Sequence, residues 1–143
     1  MKVSWLSKTD KETTGADVAV AFDYNDVAGF TSGAAQAALS VLAGTRVKCL
    51  GYVMATAFDV SGTGALAVTV GDGGSATALM SSSVLAVDGT EVFYHVGGSE
   101  KVYLVDDTVD VFFTDATSMA YTSGKVTFYF AVSDMNKWAK VQT

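Results

Sequence analysis

Apolar side chains recur at every second position along much of this chain, and that period constrains its fold more than any other property. In KVTFYFAVSD (125–134), Val126, Phe128, Phe130 and Val132 fall on one face and Thr127, Tyr129, Ala131 and Ser133 on the other. The same alternation runs through ADVAVAF (Val18, Val20, Phe22), ALAVTV (Leu66, Val68, Val70) and TVDVFFT (Val109, Val111, Phe113). A period of two gives one apolar face to a strand and none to a helix, so these segments are expected as core strands. VFYHV and KVYLV, separated by the turn-forming GGSE, read as a hairpin. The run from Thr45 to Val60 is too long for one flat strand, and a bend or bulge is expected near Gly51.

Helical signal is thin. AAQAALSVLA (34–43) is rich in alanine, which favours helix, but it is short, lies between Gly33 and Gly44, and gives way to a β-branched pattern at Val47. Strand is the favoured state there. About eight strands separated by Gly, Ser, Asp and Thr turns predict an all-β chain folded as a single β-sandwich of jelly-roll type. At 143 residues the chain has the size of one domain. Residues 1–15, polar and lysine-bearing, read as a candidate extended N-terminal arm.

Charge and composition exclude several partners. Fifteen acidic against nine basic side chains give a net charge of −6, against phosphate-backbone binding, which needs clustered Lys and Arg. No apolar run approaches the ~20 residues of a membrane-spanning helix, and the polar stretch from Ser7 to Gly15 leaves no run of signal-peptide length. A protein starting at Met1 and kept in a cytoplasm is expected. Between Cys49 and Gly124 there are nine acidic residues and one basic one, Lys101, whereas lysines gather at the two ends, each of which also carries a tryptophan. Trp5, Lys8 and Lys11, with Trp138 and Lys140, are therefore candidates for a basic, aromatic patch that docks onto an acidic surface. The alternative is that the terminal segments pair as neighbouring strands and the tryptophans cover the edge of the core. The chain has no proline, so only charge and glycine remain to blunt sheet edges, and assembly into a homo-oligomer is expected.

Little in the sequence points to catalysis. The single histidine, His95, sits among aromatic residues in VFYHV and reads as structural, and the single cysteine, Cys49, reads as a buried, inert thiol. One His and one Cys cannot build an imidazole or thiolate metal site within a chain. Asp106, Asp107 and Asp110 in VDDTVDV lack the spacing of a calcium loop and read as a solvated acidic turn. VGDGG (70–74) has neither a dinucleotide fingerprint nor a P-loop lysine, and reads as a tight turn demanding positive φ. No cofactor is expected, and no enzymatic activity.

Residues 41–82 carry a further pattern. A short strand leads to the turn Ala43-Gly44-Thr45, a long strand closes on Thr56-Ala57-Phe58, and a later strand ends in Gly71-Asp72-Gly73 before a small-residue loop. This order resembles small structural proteins of tailed bacteriophages. The resemblance implies a β-sandwich virion component such as a capsid decoration (cement) protein, a head fibre or a tail-associated protein. It marks turns of a scaffold and carries no binding residues over. The expected function is thus a decoration protein bound to the major capsid protein or another virion protein as a small homo-oligomer, with a trimer the first expectation, located in the virion and, during assembly, in the host cytoplasm. The competing expectations are a carbohydrate-binding β-sandwich, free or at a receptor-binding fibre tip, and an enzyme built on the Asp106, Asp107 and Asp110 cluster. A planar row of exposed aromatics would favour the first, and a pocket holding carboxylates of shifted pKa the second.

Overall fold

The computed structural model describes residues 1–58, 66–85, 99–115 and 120–136, and the main chain of 92–95. In chain order these form β1 (Lys2–Trp5), α1 (Lys8–Thr14), β2 (Val18–Asp23), α2 (Tyr24–Ala28), β3 (Ala35–Val41) and β4 (Thr45–Thr56). There follow β5 (Leu66–Asp72), β6 (Ser75–Leu85), β7 (Val92–His95), β8 (Glu100–Val102), β9 (Asp107–Thr114) and β10 (Lys125–Asp134). One sheet has the order β1-β2-β10-β4-β7, with β8 also on β4, and the other β3-β9-β5-β6. Every pairing is antiparallel.

The expected hairpin between VFYHV and KVYLV does not form. Gly51 to Met54 pair with His95 to Val92, and Arg46 to Lys48 pair with Val102 to Glu100. Both segments run antiparallel to β4, so they follow one another in the same direction along its edge, which is long enough to hold both. Counting β7 and β8 as one interrupted strand leaves eight strands from β2 to β10. Their order, β2-β10-β4-β7/β8 facing β3-β9-β5-β6, is the jelly roll, and β1 is a ninth strand added beyond β2.

The alternating residues fill the core. Val18, Val20, Phe22, Leu66, Val68, Val70, Val109, Val111, Phe113, Val126, Phe128 and Phe130 are all buried. AAQAALSVLA supplies β3, as its flanking glycines and short length favour. The long strand β4 bulges where expected: its pairing with β10 skips Leu50, between Cys49 opposite Phe130 and Gly51 opposite Tyr129, and Gly51 takes φ +140°.

Two helices depart from the sequence expectation because capping, rather than periodicity, specifies them. Ser7 accepts the backbone N–H of Asp10 at 3.2 Å to start α1, and Gly15 ends it in the left-handed region. Asp23 and Asp26 form a capping box around the five-residue α2, whose Val27 is buried. Residues 1–15 are accordingly an edge strand and a two-turn helix, where the sequence allows an extended arm.

The GDGG turn is tight, but neither Gly73 nor Gly74 has positive φ. Asp72 Oδ1 accepts the N–H groups of Gly74 (2.9 Å) and Ser75 (3.0 Å), and this side-chain clasp replaces the left-handed residue expected there. The glycine that matters is Gly71. Between Val70 opposite Met80 and Asp72 opposite Ser75, β6 bulges over it, and a Cβ on Gly71 meets the Ser75 carbonyl oxygen at 1.9 Å. A Cβ on Gly73 meets nothing. Gly71→Ala is expected to destabilise the fold by about 2–3 kcal/mol, whereas Gly73→Ala should be neutral or slightly stabilising. Urea unfolding of the two variants checks the pair, and equal effects would refute the role given to Gly71.

Candidate interaction surface

At one end of the sandwich the chain crosses between sheets through the β3–β4 turn and the β8–β9 loop. These two connections are hydrogen-bonded to one another. Gly44 N–H donates to Tyr103 O (2.7 Å), Tyr103 N–H to Thr45 O (2.8 Å), and Ala43 N–H to Asp106 Oδ1 (2.9 Å). Met135 N–H donates to Gly44 O (2.8 Å), and Asn136 lies so close that a Cβ on Gly44 would meet its Nδ2 at 2.2 Å. Glycine is required at 44 twice over, for this approach and for its φ of +85°. The residues carried at the tips are apolar: Leu42, Leu104 and Val105 are 70, 84 and 67% exposed, with Val102 exposed beside them. Three large aliphatic side chains are thus exposed on loops that are hydrogen-bonded to one another, which makes this end a candidate contact surface.

A buried polar cluster holds this end together. Asp72, 1% exposed, forms an ion pair with Lys101, and the Lys101 ammonium also lies 5.1 Å from the centroid of the Tyr103 ring. The pair ties β8 in one sheet to the β5–β6 turn in the other. Burial pushes the Asp72 carboxyl up, but the hydrogen bond from Lys101 and those from the N–H groups of Gly74 and Ser75 outweigh it and hold its pKa below the ordinary carboxylate value. Tyr103 is buried and its hydroxyl has no hydrogen-bond partner among the described residues. Burial, then the charges of Asp72, Asp107 and Asp110, raise its pKa, so the phenol stays neutral. Asp110 is buried and accepts the Thr108 hydroxyl at 2.7 Å.

The residues singled out in the sequence are distributed as follows. Trp5, Lys8 and Lys11 are all exposed, on β1 and α1, but each lysine lies beside an acid: Lys8 Nζ is 3.8 Å from Glu12 and Lys11 Nζ 3.5 Å from Asp17. Trp138 and Lys140 lie outside the described residues, as does the side chain of His95. Cys49 is buried, and desolvation pushes its thiol up to about 12, which leaves it protonated and unreactive. Asp106, Asp107 and Asp110 do not act as one group, since Asp106 caps Ala43, Asp107 accepts the N–H of Thr108, and Asp110 turns inward. Among the described residues no set of three or more His, Cys, Asp or Glu side chains is arranged to hold a metal ion.

Leu42, Leu104 and Val105 were not singled out by sequence. A signal for the last two exists: Leu104 and Val105 are adjacent apolar residues, so a strand cannot bury both on one face, and the acidic pair Asp106-Asp107 follows. Lys101, the only cation in the acidic middle of the chain, marks the buried pair.

No known family, curated protein or solved structure matches the chain.

Lys101→Met leaves the Asp72 carboxylate buried without its cation. The expected cost is about 1–3 kcal/mol, less than for a fully enclosed pair because the Lys101 side chain is 37% exposed. Since the folded pKa of Asp72 is depressed, its stabilisation is present above the unfolded-chain value of about 4 and is lost as pH falls through the lower folded value. Asp26 adds to the same acid limb; burial pushes its pKa up, but the terminal ammonium and the Asp23 N–H bring it below normal. Urea unfolding between about pH 6 and 2 should therefore show a shallower acid limb in Asp72→Asn than in the parent. An unchanged limb would mean that Asp72 is not held as described.

Proposed function

We propose that this chain is a non-enzymatic virion structural protein of a tailed bacteriophage, a capsid decoration subunit that sits on the lattice of the major capsid protein as a small homo-oligomer, a trimer. The observation that carries this reading is the exposed apolar end formed by Leu42, Leu104 and Val105 on mutually hydrogen-bonded loops. Loops already bonded to one another lose little freedom on docking, so burying their apolar tips is not offset by an ordering cost. The turn order in residues 41–82 that resembles phage structural proteins lies within a jelly roll, an architecture that viral capsid domains use. Attachment is mechanical: a subunit that binds only the assembled lattice stabilises it by linkage, and several attachment points per oligomer multiply the effect.

The competing readings are supported less. Trp5 is the only aromatic side chain among the described residues that is more exposed than half-buried, and one ring is not a sugar-stacking row. Asp72 has a shifted pKa, but it is consumed by a structural ion pair.

The test uses particles of the phage that encodes the chain, prepared without it. Added protein should cosediment with them, and Leu104→Asp with Val105→Asp should weaken cosedimentation at least tenfold while leaving the melting transition unchanged, because both side chains are solvent-exposed. Equal binding by the variant would remove this surface from the reading, and no binding by the parent would remove the reading itself. Light scattering of the free protein measures the oligomer.

A further inference from the structure

The two layers of the sandwich differ in width. Among the described residues the first sheet is five strands across, with β7 and β8 sharing the edge of β4, and the second is four across, so the surplus strand is β1. Val3 pairs with Val20 and Trp5 with Val18, so Val3 and Trp5 lie on the side of the sheet that is core elsewhere. Val18 and Val20 are fully buried, yet Val3 and Trp5 are 39 and 63% exposed, and Met1, next in the same alternation, is exposed too.

The strand across from them, β3, pairs only with β9 among the described residues. Its side chains at 37, 38 and 40 are Ala, Ala and Ser, too small to reach over β1. Met1, Val3, Ala37, Ala38, Leu39 and Ser40 line a cleft of ≈ 250 Å³ between the two strands. The outer edge of β3 carries no charged residue and no proline, and its one irregularity against β9 is the single-residue shift at Ala38.

We propose that the open edge of β3 beneath β1 is a strand-acceptor site, filled by an extended segment of a partner polypeptide with apolar residues at alternate positions. One added strand gives the second sheet its fifth member, continues the ladder beyond β3 and covers Met1, Val3 and Trp5 with its inward side chains. A twofold pairing of two copies through β3 fits less well. Each copy brings its own overhanging β1, and both overhangs then converge on the line above the joint, where there is room for one. This site is separate from the apolar loop end and does not rest on the function proposed above.

The probe is a capped seven-residue peptide alternating valine with threonine, added to the full-length protein in a Trp138→Phe background, where Trp5 is the only tryptophan. Binding should shift Trp5 emission to the blue and slow hydrogen exchange at the β3 amides at least tenfold. Ala37→Glu and Val3→Asp, both at exposed positions, should each weaken binding at least tenfold without changing the melting temperature; circular dichroism checks that both fold. Three results overturn the proposal: no response of Trp5 and the β3 amides at millimolar peptide, protection appearing along β6 instead, or a stable dimer of the free protein whose β3 amides are already protected. Loss of particle binding in the loop variant bears on none of these readouts, so the two readings fail separately.

Discussion

Three phenylalanines from distant parts of the chain hold the two sheets together. Phe22 of β2 and Phe128 of β10 come from one sheet and Phe113 of β9 from the other, with ring centroids 5.2 to 6.3 Å apart and planes inclined at 70–78°. Edge-to-face contacts of this kind add to the burial of the rings themselves. The cluster exists only when β2, near the start of the chain, meets β9 and β10 near its end, so it joins the two ends of the jelly roll's wrapping. Such non-local closure makes for slow folding. It also fixes how the sheets are stacked, and so which loops share an end of the sandwich.

At the loop end β8 of the first sheet is joined to the β5–β6 turn of the second by the Asp72–Lys101 pair. A buried ion pair is weak evidence for net stability, since desolvation offsets most of the attraction, but breaking it leaves a charge with nowhere to go. The pair therefore penalises any arrangement in which β8 and the GDGG turn drift apart. With β8 fixed, Tyr103 is fixed, and through its main chain the β3–β4 turn as well. The exposed Leu42, Leu104 and Val105 are thus carried on connections tied, through Tyr103, to the Asp72–Lys101 pair.

The alternating strands were legible because burial on one face and period two are the same statement. The bulge at Gly51 was legible from length alone. Helices α1 and α2 were not: seven- and five-residue elements give no periodicity, and their specification sits in single capping residues, Ser7 and Asp23, which turns use equally. The β7 and β8 segments were misjudged because GGSE is a good turn sequence, and whether two strands pair with each other or with a third is decided by the edge that β4 offers. Of the candidate surface, sequence marked the acidic side of the loop and the lone Lys101. It missed the apolar tips because apolar residues are read as buried until a structure leaves them out.

Edge protection follows from the same composition. With no proline and few charges on its strands, the chain protects its edges by irregularity. β6, eleven residues without a charge, is bulged twice against β5, which twists its free edge out of register with any straight neighbour. The edge of β4 is capped by the short β7 and β8, the latter bearing Glu100 and Lys101. β1 is four residues long and carries Lys2. Among the described residues only β3 combines an uncharged edge with a single one-residue shift, at Ala38 between Ala37 and Leu39, and it alone borders an apolar overhang from the opposite sheet. An edge with neither the charges of β1 and β8 nor the double bulge of β6, lying where the described layers are unequal, has the form of an acceptor for a strand from outside the fold.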